Sequence, residues 1–67
     1  KNLLDSIGPR IAEIRRSKKI TQEELASAIG VSRQTYGAYE NGTRPIPWSV
    51  YLALLFYFEK KFHFFLA

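Results

Sequence analysis

The chain has 67 residues, room for one small domain with a single core and for no second domain. It contains no cysteine, which excludes disulfide staples and thiolate metal sites and fits a reducing compartment. Ten Lys and Arg against six Asp and Glu leave a net charge of +4, which favours an anionic partner: nucleic acid first, an anionic membrane surface second.

No N-terminal signal-peptide pattern is visible, and the chain starts at Lys1 rather than a methionine, which leaves room for a missing piece. Leu4, Ile7, Ile11 and Ile14 recur at spacings of three, four and three, the stripe of an amphipathic helix. Asp5, Ser6 or Gly8 can cap it, and Pro9 is tolerated in a first turn. Arg15, Arg16, Lys18 and Lys19 follow. Cations there suit the negative end of a helix dipole, and phosphate contact is the other reading.

Thr21-Gln22-Glu23-Glu24 reads as a capping box, with Thr21 bonding a free N–H and Glu24 reaching back to the Thr21 amide. Leu25, Ala26, Ala28 and Ile29 form the buried side of this second helix, and Gly30 ends it. Val31 is a connector and Ser32 caps a third helix over 32–41. The connection of about three residues makes the two helices cross steeply, with Ala26 and Gly30 as the small residues at the contact. Tyr36 and Tyr39 share the packing side, which leaves Arg33, Gln34, Gly37, Ala38 and Asn41 outward.

Two prolines stiffen the loop 43–47 and forbid helix before them. Trp48 then begins a strongly apolar helix to about Phe58, and a short aromatic segment, 62–66, closes the chain. The longest apolar run, 50–58, is nine residues, far short of the roughly 20 that cross a bilayer. No stretch alternates like a strand. The expectation is an all-α, compact bundle of four to five short helices in a single domain, 1–67, with a helix-turn-helix at 21–41 and an aromatic helical segment at 48–66.

These residues resemble a known family. Ile11 and Ile14, Arg15, "TQEELA" at 21–26, "IGVS" at 29–32 and "YENG" at 39–42, followed by Arg44-Pro45, are similar to the phage-repressor type of helix-turn-helix, the lambda repressor and Cro family. The match covers about half of the chain, and several spaced motifs agree in order. The resemblance implies a recognition helix over 32–41 lying in the major groove of double-stranded DNA. Arg33 and Gln34 would read base edges, with Ala38 and Asn41 as lesser candidates. The chemistry suits this: Arg matches guanine O6/N7, Gln matches adenine N6/N7, and Ala38 fits a thymine methyl. Gln22, Ser32, Thr35, Arg44 and Lys19 would contact the DNA backbone, and Arg15 and Glu40 would form an internal ion pair. The resemblance also implies a bacterial or phage transcriptional regulator in the bacterial cytoplasm, associated with the nucleoid.

Three departures stand out. Lys19 occupies a position where the family often has Gly. Gly37 lies inside the recognition helix, at a cost of about 1 kcal/mol relative to Ala. It either admits a close approach of DNA or marks a place where no side-chain contact is needed. Third, the C-terminal segment is unusually aromatic. A helix that is apolar almost all round expects cover on every side. Phe56, Phe58, Phe62 and Phe65 are therefore the candidate subunit interface, with a homodimer as the first partner. An antitoxin-like or other protein-interaction module using this segment is the alternative. Membrane binding is disfavoured, because the basic residues cluster away from the apolar helix. His63 stands alone without a second His or any Cys, and no Ser/His/Asp or Cys/His set exists. Neither a metal, a cofactor nor an enzyme activity is expected.

Overall fold

The computed structural model describes residues 7–63. Four helices follow one another: α1 (Ile7–Ser17), α2 (Gln22–Ile29), α3 (Arg33–Asn41) and α4 (Trp48–Phe62), with no strand among the described residues. α3 packs against both α1 and α2, and α4 packs against α2. Ile11 and Ile14 of α1, Ile20 of the first turn, Leu25 and Ala26 of α2, Tyr36 and Tyr39 of α3, and Leu54 and Phe58 of α4 form one apolar core. Leu4 and the proposed caps Asp5 and Ser6 lie outside the described residues.

Gly8 has a role that periodicity did not reveal. α1 crosses α3 so closely there that a Cβ on Gly8 would drive into the Tyr39 carbonyl oxygen and stand 2.8 Å from that of Glu40. Both obstacles are backbone and cannot swing aside. Gly8→Ala should therefore destabilise the domain by about 1–3 kcal/mol, read as a lower urea midpoint with unchanged m-value. An unchanged midpoint would mean that the α1–α3 approach is looser than described.

The small residues at the α2–α3 turn act differently from expectation. Ala26 is buried, but Ala28 is exposed, and a Cβ on Gly30 would meet nothing within 4 Å. Gly30 serves through its left-handed backbone, φ 80°, rather than through close contact. Lys19 is also left-handed, with φ 58°, the conformation that a glycine adopts without steric cost. Lys19 thus takes, at a steric cost to its backbone, the conformation that glycine adopts freely.

α4 corrects the sequence reading twice. It does not stop near Phe58 but runs to Phe62, because Glu59, Lys60 and Lys61 interrupt only its hydropathy and are good helix formers. Lys61 reaches Glu24 of α2 at 3.3 Å, and the Glu24 carboxylate turns to it instead of back to the Thr21 amide. Phe58 is fully buried in the core and so cannot form a subunit interface. Phe62 is half-buried, packed beside Tyr57 and Phe58, with the Lys18 ammonium 5.2 Å over its ring. Phe65 lies outside the described residues. Phe56 remains as expected on the outside, 73% exposed.

Candidate nucleic-acid interface

Capping chemistry sets where α2 and α3 begin. The Thr21 hydroxyl oxygen accepts the Glu24 N–H at 3.0 Å, and the Ser32 hydroxyl oxygen accepts the Thr35 N–H at 3.1 Å. Between them, the amides of Gly30 and Val31 close back on Ser27 and Ala26 carbonyls, which stops α2 and starts α3 within a few residues.

Tyr36, Tyr39 and Glu40 turn inward and seat α3 on the core. Arg15 donates through Nε to Glu40 Oε2 at 2.6 Å, through Nη2 to Oε1 at 3.3 Å, and through Nη1 to the Ile20 carbonyl at 2.7 Å. The ion pair ties α1 to the end of α3, and both side chains are largely removed from solvent. Burial pushes the Glu40 carboxyl up, but hydrogen bonding, from Arg15 foremost, outweighs it and holds the group below its ordinary value. The same hydrogen bond raises the Arg15 guanidinium further. Beside the pair, the buried Tyr36 hydroxyl has no hydrogen-bond partner among the described residues, and burial pushes its pKa up.

On the outer side, Arg33 and Gln34 are exposed at the first turn of α3, and Asn41 is exposed at its end. Thr35, Gly37 and Ala38 are partly exposed between them. The fold does not require glycine at 37: a Cβ there would meet only the Gln22 amide, at 3.9 and 4.0 Å, which is ordinary contact. Asn41 Oδ1 is engaged locally, accepting the Thr43 amide at 3.0 Å and its hydroxyl at 2.7 Å. Ser32 is exposed and its hydroxyl also donates to Thr35 Oγ1 at 2.9 Å. Arg44 has an exposed side chain on a loop held to α3 by its own amide, which donates to the Ala38 carbonyl at 3.3 Å. Lys19 is exposed in the turn before α2.

Gln22 stands at the first position of α2 and half-buried, and its amide is occupied at both ends. Nε2 donates to Glu40 Oε1 at 2.9 Å, and Oε1 accepts from Arg33 Nη1 at 3.2 Å. This bridge is absent from any local sequence rule, because its partners lie 18 and 11 residues away. A second feature escaped the sequence reading. Trp48 is 70% exposed and Leu52 38% exposed, and with Phe56 they stand four apart along one side of α4. In a helix that is apolar nearly all round, no periodicity separates that stripe from the one facing the core.

The outer face therefore has long polar donors at the positive end of a helix, small residues behind them, and flanking cations: a surface shaped for a groove lined by anions and base edges. Among the described residues, no group of three or more His, Cys, Asp or Glu is placed to hold a metal ion. A helix-turn-helix family model matches residues 11–47, more than half of the chain. The uncharacterised HTH-type transcriptional regulator YobD of Bacillus subtilis (strain 168) is 37% identical over 49 residues, which are 70% of this chain and 44% of that protein. The cryptic phage CTXphi transcriptional repressor RstR of Vibrio cholerae is 46% identical over 35 residues, 52% of this chain and 32% of that protein. The chain thus spans less than half the length of either relative. No solved structure matches it with significance. The order of helices, the capped turn and the match over 11–47 agree, and the chain belongs to the lambda-repressor-like helix-turn-helix family of DNA-binding domains.

Proposed function

We propose that this chain reads a specific double-stranded DNA sequence with α3 in the major groove and represses transcription by covering a promoter. The observation that carries the reading is the pairing of exposed Arg33 and Gln34 at the N-terminal turn of a helix whose opposite face is locked into the core. In that place Arg33 reads guanine and Gln34 adenine, with Ala38 and Asn41 as minor base contacts. Gln22, Ser32, Thr35, Arg44 and Lys19 serve the phosphates. Repression is suggested by RstR, whose name is that of a transcriptional repressor. The site of action is bacterial DNA, with no cofactor.

Selection from a randomised duplex pool at near-physiological salt tests this. An enriched motif is expected, and Arg33→Ala should cost about 1–3 kcal/mol and relax preference at one position of it. Arg44→Ala should instead weaken all sequences alike and flatten the salt slope. Absence of any enrichment by a folded protein would overturn the reading.

The protein acts as a homodimer on an inverted repeat, with half-site centres one helical turn, about 34 Å, apart. Support comes from the Trp48–Leu52–Phe56 stripe, three large apolar side chains exposed on one side of α4. Trp48→Asp and Phe56→Asp should each give monomers in sedimentation and lose the inverted repeat from the selected motif. Unaltered dimers from both variants would exclude the stripe as the seam. Monomeric wild type that still carries this stripe would favour the second reading, an antitoxin-like module whose α4 holds a different protein. No helix among the described residues is long and apolar enough to cross a membrane.

A further inference from the structure

Arg33 is a long, exposed side chain, yet it is not left to swing. Its Nη1 donates to Gln22 Oε1, and the other end of that amide donates to Glu40, which Arg15 holds in the protein interior. The chemistry leaves one sense for this chain of bonds. An ionised carboxylate only accepts and a guanidinium only donates, so the amide between them must face Glu40 with its NH2 and Arg33 with its oxygen. Glu40 is held ionised, below its ordinary pKa, which keeps that sense fixed. Gln22 lies over Gly37 of α3, where even a Cβ would stand 3.9 Å from Gln22 Oε1, an ordinary contact that leaves the bridge in place.

Resting on the reading of Arg33 as a base contact, we propose that Glu40, acting through the Gln22 amide, sets the position of the Arg33 guanidinium and so tightens its choice of base. Gln22 and Glu40 are then positioning residues that touch no part of that base pair. An arginine tethered at one Nη is ordered before DNA arrives, and less side-chain freedom is lost when it pairs bidentately with a guanine. Untethered, the same arginine reaches neighbouring bases and phosphates, and discrimination falls more than overall affinity.

The test uses two variants that reach the relay by different routes. Gln22→Met keeps the length of the side chain and removes both bonds. The double variant Arg15→Met/Glu40→Met replaces the buried pair by apolar groups of similar length, an exchange that buried ion pairs often survive, and takes away the carboxylate beneath Gln22. Duplex selection with Arg33→Ala first identifies the base pair that Arg33 reads. At that position each relay variant should lose at least about fivefold of the base preference, out of the roughly 5- to 150-fold that a bidentate contact supplies, while other positions keep theirs. Adding either change to Arg33→Ala should relax the position no further. Retained preference at that position, or a uniform loss across all sequences, overturns the proposal, and the uniform loss makes Gln22 a phosphate contact only. Guanidinium order of Arg33 in the free protein, from nitrogen relaxation in NMR, separates the two ideas at stake. Lost order in both variants together with a silent Arg33→Ala means that the relay exists but Arg33 reads no base, which ends the proposal with the reading it rests on. Unchanged order in the variants ends the relay alone.

Discussion

Phe58→Ala should cost about 3–5 kcal/mol, whereas Phe56→Ala should leave the stability of the fold within about 0.5 kcal/mol. The two residues sit two apart on one helix, are the same amino acid and share a strongly apolar neighbourhood. Phe58 is fully buried, with Tyr57 and Phe62 ring centroids 5.9 and 6.5 Å away, and alanine there leaves a cavity bounded by Leu54 and the other core residues. Phe56 is 73% exposed, and alanine there removes surface and no packing. A domain of this size holds only a few kcal/mol of net stability, so the Phe58 variant should be largely unfolded at 25 °C. Urea melts followed by circular dichroism, at concentrations where the protein is monomeric, compare the two. Similar losses from both variants would place α4 in a different rotation on α2.

Glu40→Ala is expected to be as damaging, about 3–5 kcal/mol, because it leaves the Arg15 guanidinium in the interior with, among the described residues, only the Ile20 carbonyl as a hydrogen-bond partner. Arg15→Met/Glu40→Met should recover most of that loss, since no charge then remains buried. Acid sensitivity follows from the same pair. The folded pKa of Glu40 lies below its ordinary value of 4.5, so between the two the unfolded chain binds a proton that the folded chain does not. The stabilisation from Glu40 is complete above pH 4.5 and is lost as pH falls through the folded value. Thermal melts from pH 7 to pH 3 should show a drop at the acid end in the wild type and a smaller one in the double Met variant. Equal acid slopes in the two proteins would assign the drop to other carboxylates.

Much of the helix-turn-helix was legible in the residues because its signals are local. Thr21 and Ser32 cap within three residues of themselves, Gly30 ends α2 through its own backbone, and Tyr36 and Tyr39 fall on one side of α3 at helical spacing. The outward set of α3 follows from that spacing by subtraction. The Arg15–Glu40 pair came instead from family resemblance: no rule of spacing connects two residues 25 positions apart. Ala28 escaped for a different reason, since an alanine is apolar enough for either side of a helix.

The amino-acid sequence by itself determined the helical elements, their capped starts, the tight α2–α3 turn and the polar face of α3, because caps, turns and helical periodicity act over three or four residues. Only the tertiary structure decided which aromatic of α4 is core and which is surface, why Gly8 cannot carry a side chain, and how Gln22 joins Glu40 to Arg33. Each of those depends on how one helix is rotated and seated against another. A helix apolar on all sides carries no period to announce that rotation, and hydrogen bonds between residues distant in the chain exist only once the helices have met.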